Sequence, residues 1–113
     1  MRILNKTKNT WLSEDATLAD SFFSRFLGLM GKKELQKGCA LVLKPCNSIH
    51  TFFMRFPIDA LFLDKQNLVI ASLPDMKPFG ASPIYWQARG VVELPAGTIS
   101  ATSTAVGDSL AFE

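Results

Sequence analysis

The stretch Ala60-Leu61-Phe62-Leu63-Asp64-Lys65-Gln66-Asn67-Leu68-Val69-Ile70-Ala71-Ser72-Leu73 decides the fold class. Two apolar runs, residues 60–63 and 68–73, flank the polar turn of residues 64–67. Asn67 closes that turn and tolerates the positive φ that tight hairpin turns need. The stretch therefore predicts an antiparallel β-hairpin with largely buried strands.

Short apolar segments on both sides of this hairpin predict further strands. Each is bounded by glycine, proline or polar residues, which break regular structure. Together with the hairpin, the predicted strands are residues 2–5 (as an edge strand), 39–43, 49–54, 60–63, 68–73, 90–94 and 109–112. Residues 74–83 contain three prolines and predict a loop, and residues 96–106 predict one helical turn.

One longer helix is predicted from Thr17 to about Gly28 or Gly31. Thr17 followed by Asp20 resembles a capping box, with Asp in place of the usual Glu. Apolar residues then recur with helical spacing at Leu18, Phe22, Phe26, Leu27 and Leu29. A left-handed glycine is a common helix end.

These elements predict one domain, residues 1–113, in the mainly β (β-rich α+β) class. Strands do not alternate with helices, so a doubly wound parallel sheet is excluded. We expect a small antiparallel barrel or a jelly-roll-like sandwich with one helix packed across it. Hydrophobic residues make up 48% of the chain, which provides a core and excludes intrinsic disorder.

Charge and targeting signals restrict the functional classes. The formal net charge is +2, too balanced to indicate a nucleic-acid partner. The N-terminal residues include no apolar stretch of secretory length, and no run approaches the roughly 20 residues of a membrane span. We therefore expect a cytoplasmic protein with no membrane span, present as a monomer or weak dimer.

Cys46 and His50 are the first candidates for chemistry, as a nucleophile and its base. In an extended strand, four residues span about 13 Å, whereas the pair needs to lie about 3 Å apart. Only a sharp bend at residues 45–47 would bring them together, so a turn cysteine and a sheet histidine are favoured. Two ligands are also too few for a metal, and we predict no metal or other cofactor.

Arg25 falls on the apolar stripe of the predicted helix. A buried arginine usually finds a carboxylate, and Asp59, Glu93 and Asp108 are candidate partners. Such a pair would clamp the helix to the sheet. The alternative is an arginine that binds a ligand.

Aromatic residues suggest a binding surface. In a regular strand, His50 and Phe52 would share one face, and that face is predicted to line a groove. Trp86 is a further large amphipathic side chain of the kind enriched at binding surfaces. The alternative is that Tyr85-Trp86, after Pro83, is a loop segment packed on the core.

Three blocks of the chain together resemble the domain of unknown function 192 family, also called uncharacterised protein family 0127. The first is Arg25–Gly31, similar to the family's R-x-x-G-L-M opening. The second is residues 50–64, which include Pro57, Asp59 and Asp64. The third is residues 93–98, followed by Gly107-Asp108. Phe53 stands where the family usually has tryptophan.

The resemblance implies a compact β-rich domain with a helix and no established activity. It also implies fold-determining roles for its motif residues, with Asp59 and Asp64 accepting backbone N–H bonds. We expect a non-enzymatic ligand-binding or accessory domain, for a small molecule or a protein. Its predicted binding residues are Arg25, His50, Phe52, Asp59 and Trp86. The alternatives are a protein-interaction subunit and, less favoured, a small Cys/His-dependent enzyme.

Overall fold

The computed structural model describes residues 1–21, 24 and 28–113. In that part of the chain it contains short strands and, apart from the helical Ser24, one four-residue helix. These elements are β1 (Ile3–Asn5), β2 (Thr10–Ser13), β3 (Asp15–Ala19), β4 (Cys39–Leu43), β5 (Ile58–Leu63), β6 (Val69–Met76), β7 (Gly90–Pro95), α1 (Thr98–Ala101) and β8 (Leu110–Phe112).

The strands form two sheets. One has three strands in the order β2-β1-β8, and the other has five in the order β3-β4-β7-β5-β6. Their pairings are antiparallel except for β3 with β4, which is parallel. The sheets do not close into a barrel, so the mainly β, sandwich-like alternative of the prediction is confirmed.

The predicted hairpin is confirmed as β5 and β6, which pair antiparallel. Asn67 has a φ of 63°, as its place in the turn required. Asp64 accepts backbone N–H bonds from Gln66 at 2.8 Å and from Leu68 at 3.0 Å. The role that the family resemblance implied for this aspartate is therefore also confirmed.

Two apolar clusters lie on opposite faces of the five-stranded sheet. The sandwich core lies between the sheets and joins Ile3, Leu12 and Leu110 to residues such as Val92 and Leu94. The outer cluster covers the other face, where loop residues pack on the sheet. Its buried members are Leu29, Leu43, Ile49, Met54, Ile58, Ala60, Phe62, Ala71, Ala88 and Val91. Both faces of the central strands are thus buried.

The predicted start of the long helix is wrong. Thr17 and Leu18 belong to β3, where they pair with Leu41 and Val42 of the parallel neighbour β4. Pairing with a strand more than 20 residues away outweighs a local capping pattern. Ser24 is helical, and Phe22, Phe23 and residues 25–27 lie outside the described residues.

The predicted strand 49–54 is also wrong. Only His50 makes an isolated bridge, to Ala81, and Met54 N–H instead donates to Thr51 O at 3.2 Å. That bond closes a turn, which aromatic and β-branched composition alone does not reveal.

Smaller differences concern strand position and loop length. Residues 2–5 were expected at an edge, but β1 is the central strand of its sheet. The predicted loop 74–83 begins later, because β6 continues to Met76. The strands at 39–43, 90–94 and 109–112 and the helical turn within 96–106 are confirmed. No helix within the described ranges is long and apolar enough to cross a membrane.

Candidate functional site

Two long loops carry most of the predicted site residues and are joined edge to edge. Residues 44–57 connect β4 to β5, and residues 77–89 connect β6 to β7. Three backbone hydrogen bonds between them are Thr51 N–H to Gly80 O at 2.8 Å, Ser82 N–H to Ile49 O at 2.8 Å and Tyr85 N–H to Asn47 O at 2.9 Å. We call this unit the loop pair. It is ordered by its own backbone, although neither loop forms a regular strand.

Thr51 fixes the tip of the loop pair. Its side chain is fully buried, and its hydroxyl donates to Lys77 O at 2.6 Å and accepts from Gly80 N–H at 2.8 Å. Its backbone oxygen accepts from Phe79 N–H at 2.9 Å. One small polar residue therefore satisfies several backbone groups of the opposite loop, and the two tips are held together.

Phe53 and Phe79 lie on adjacent turns at this tip. Both have left-handed backbones, with φ of 63° and 61°. A bulky side chain in that region is strained, at a cost of about 1–2 kcal/mol. Both side chains are also exposed, at 65% and 67%, and their rings meet edge to face at 6.1 Å. Neither the backbone strain nor the exposure is explained by packing in the core.

His50 and Phe52 form a second aromatic pair on the same loop, next to Phe53 in the chain. Their rings stack at 5.0 Å, and His50 Nδ1 accepts from the Phe52 backbone N–H at 3.2 Å. The structure thus brings two of the predicted binding residues into contact, without the regular strand that the sequence suggested. We name His50, Phe52, Phe53 and Phe79 the aromatic loop surface.

Trp86 lies farther along the loop pair. It is 76% exposed, and its carbonyl accepts from the Arg89 guanidinium at 3.4 Å. Near it is a cavity of about 250 Å³, lined by Pro45, Cys46, Asn47, Ala88 and Arg89. The exposure excludes core packing for Trp86, whereas Tyr85 beside it does pack on the outer cluster, with its ring 4.5 Å from that of Phe62.

Cys46 lines this cavity in the turn after β4. Its thiol donates to Ser48 O at 3.1 Å, and its backbone N–H donates to Arg89 O at 3.3 Å. The turn location agrees with the favoured sequence interpretation. Among the described residues, no group of three or more His, Cys, Asp or Glu side chains is arranged to hold a metal.

Asp59 is buried at 1% exposure and is fully engaged by backbone groups. Its Oδ1 accepts from Asp75 N–H at 2.9 Å, and its Oδ2 accepts from Gly97 N–H at 3.1 Å and Ile99 N–H at 2.8 Å. The carboxylate therefore ties β5 to β6 and caps the first turn of α1. Arg25, its predicted partner, lies outside the described residues.

Asp108 is a second engaged carboxylate, in the turn before β8. It accepts from Asn5 Nδ2 at 2.9 Å, Lys8 Nζ at 2.9 Å and Ala105 N–H at 3.0 Å. Burial would raise the pKa of Asp108, but these hydrogen bonds and the Lys8 charge lower that pKa below its usual value. This family-motif residue joins the two ends of the chain.

Glu93 differs from both aspartates. In the sequence it is a candidate partner for Arg25 and the first residue of the family's closing block. It lies in β7 at 4% exposure, and within residues 1–21, 24 and 28–113 its Oε1 has no hydrogen-bond partner. Burial raises its pKa to about 8. A glutamate at the centre of the apolar run Val91–Leu94 is the signal that could have identified it.

Comparisons with known proteins agree with this architecture. The family model DUF192, described as "Uncharacterized ACR", matches residues 3–112. A UPF0127 protein of Pyrococcus furiosus is 35% identical over 96% of this chain and 95% of its own length. Another, of Pyrococcus horikoshii, is 33% identical over 96% of each chain.

A solved structure has a similar fold. It is a protein of unknown function from Novosphingobium aromaticivorans, with a TM-score of 0.87 and 17% identity. The match covers 99% of this chain and 84% of that one. Because the family model spans nearly the whole chain, the protein belongs to the uncharacterised DUF192 (UPF0127) family.

Proposed function

We propose that the protein is a non-enzymatic binding domain whose aromatic loop surface holds an apolar, acidic peptide segment of a partner protein. The observation that supports it best is the pair of exposed phenylalanines, Phe53 and Phe79, on left-handed backbones. Strained residues persist where they serve a function, and exposed aromatic clusters are typical of binding surfaces.

Charge around the surface favours an acidic partner. Arg55 is exposed and lies two residues from Phe53. Lys77 is also exposed and lies two residues from Phe79, but its Nζ pairs with Asp75 Oδ2 at 2.8 Å, so Arg55 contributes more of the uncompensated charge. Gly31 N–H donates to Phe53 O at 3.2 Å, which brings the exposed segment 32–33, Lys-Lys, to the same edge. Complementary charge increases the association rate and the specificity of such contacts.

The shape of the loop pair favours a peptide over a small molecule there. The cavity near Trp86 holds about 250 Å³, below the roughly 300–1,000 Å³ of typical small-molecule sites. His50, Phe52 and Trp86 are proposed as contacts along the segment, with Phe53 and Phe79 as its anchors.

A test selects peptides from a random phage-displayed library on the purified protein. We expect enriched sequences that combine apolar residues with Asp or Glu. A synthetic peptide of the enriched sequence should bind the double variant Phe53→Asn, Phe79→Asn at least tenfold more weakly. Asparagine tolerates the left-handed backbone, so this variant keeps the turns while removing both rings.

Val106→Asn is the matched control, because Val106 is an exposed apolar residue on another loop. It should leave the affinity unchanged. Selection without enrichment, equal binding by the double variant, or an equal loss in the control would each contradict the proposal.

A further inference from the structure

A second candidate site lies outside the loop pair, on the outer face of the five-stranded sheet. Glu93 lies on β7, between Leu41 of β4 and Ala60 of β5 in the strand register. Residues two positions apart on a strand point to the same face. Val91, two residues before Glu93, and Phe62, two residues after its partner Ala60, both belong to the outer cluster. The Glu93 side chain is therefore on the outer face, away from the sandwich core.

The outer face is unevenly covered. Residues paired across neighbouring strands form a row that runs across the sheet. In the row that contains Val91, every member is buried: Ala19, Leu43, Val91, Phe62 and Ala71. In the row of Glu93, the outer members remain accessible: Thr17 is exposed, and Leu41 and Leu73 are half-buried. The following row continues this pattern with half-buried Cys39, Pro95 and Met76. Half-buried apolar side chains thus surround a buried carboxyl group.

Glu93 has no charge or hydrogen-bond partner for Oε1 among the described residues. Among the described residues, the titratable groups in register on this face or packed in the outer cluster include Asp15, Cys39, Cys46 and Tyr85, and none of these is basic. Burying a carboxyl group without a hydrogen-bond partner costs folding free energy. Because burial disfavours the charged form, it raises the pKa of Glu93 to about 8. Native proteins rarely keep such a group without a use for it.

We infer that Glu93 and the apolar side chains around it bind an apolar primary amine. The ammonium group would pair with the Glu93 carboxylate, and the alkyl part would cover Leu41, Leu73 and Met76. A cation satisfies Oε1 and compensates the buried charge in one contact, which a neutral hydroxyl or an anion does not. Because Glu93 is protonated before binding, its proton leaves to solvent as the ion pair forms.

The probes are n-hexylamine, n-hexanol and hexanoate, titrated calorimetrically at pH 6.5 in buffers of different ionisation enthalpy. We expect hexylamine, an ammonium at this pH, to bind with release of close to one proton per molecule. Hexanol and hexanoate should bind at least tenfold more weakly. Glu93→Gln, which keeps the shape of the side chain, should weaken hexylamine binding at least tenfold and abolish proton release.

Glu34→Gln removes an exposed carboxylate and should change nothing. The Phe53→Asn, Phe79→Asn variant should bind hexylamine normally, so failure here is distinct from failure of the peptide proposal. Equal binding of hexanol, binding without proton release, unchanged affinity in Glu93→Gln, or no binding of hexylamine would each overturn the inference.

Discussion

Asp59 and Glu93 are buried carboxyl groups on neighbouring strands of one sheet, yet their surroundings are opposite. Asp59 pairs in register with Leu94 and lies on the sandwich face, whereas Glu93 pairs with Ala60 and lies on the outer face. Asp59 accepts three backbone N–H bonds. Glu93 Oε1 accepts no hydrogen bond from the part of the chain that the structure describes. Among the described residues, the sandwich face therefore supplies hydrogen-bond donors to its buried carboxyl group, whereas the outer face leaves one oxygen of its carboxyl group without a donor.

Asp59 is therefore expected to stabilise the fold, whereas the buried carboxyl group of Glu93 is expected to destabilise it. Three backbone amides donate hydrogen bonds to Asp59, which anchors α1 to the sheet. The described residues supply no such donor to Glu93 Oε1, and burial raises the pKa of Glu93 to about 8, so its carboxyl group is mostly protonated at neutral pH. Removing the two carboxyl groups should thus change stability in opposite directions.

Asp59→Ala should have the largest effect. It leaves the amides of Asp75, Gly97 and Ile99 without their acceptor and should destabilise the protein by about 5 kcal/mol. Urea denaturation followed by circular dichroism measures this loss. Asp59→Asn keeps one acceptor oxygen and should lose less. A loss below about 1 kcal/mol for Asp59→Ala would contradict the structural role of this carboxylate.

Glu93→Gln should instead stabilise the protein, by roughly 3 kcal/mol at pH 7. The folded pKa of Glu93, about 8, lies above its ordinary value of 4.5. The folded state therefore binds the proton more tightly, and the natural protein loses stability as pH rises from 4.5 to 8. Below pH 4.5 the carboxyl is protonated in both states, so the gain should disappear there. Urea denaturation between pH 4 and 9 measures it.

Asp75→Asn is the matched control for that pH series. Asp75 is an exposed carboxylate on the adjacent strand β6, and asparagine tolerates its left-handed backbone, with φ of 52°. Its stability difference from the natural protein should stay small and nearly constant across pH. If the stability gain of Glu93→Gln over the natural protein were no larger at pH 8 than at pH 4.5, burial would not raise the pKa of Glu93, and the prediction would be wrong.

The sequence predicted those features that local patterns determine. The β5–β6 hairpin, its Asn67 turn and the apolar run of β7 all follow from residues close in the chain. The family resemblance added that Asp59 and Asp64 accept backbone N–H bonds, and both do. Short polar residues beside strand ends commonly bind nearby amides in this way.

The remaining features depend on contacts between distant segments. Thr17–Ala19 becomes a strand because β4 lies beside it, and no local signal indicates that parallel pairing. Every residue from Gly90 to Leu94 is buried, so alternation of polarity does not reveal which face Glu93 occupies. The binding roles of Arg25, His50, Phe52, Asp59 and Trp86 stay predictions.

The strained backbones of Phe53 and Phe79 extend this comparison, and relieving their strain should have the smallest effect on the free energy of unfolding. Phe53 and Phe79 adopt the left-handed conformation that asparagine or glycine accepts at lower cost. Each phenylalanine changed to asparagine should therefore stabilise the protein by about 0.5–1 kcal/mol in urea denaturation. A core residue truncated in this way would destabilise it instead. A marked loss of stability in either variant would mean that the ring holds the loop pair together, and the strain would then need no functional explanation.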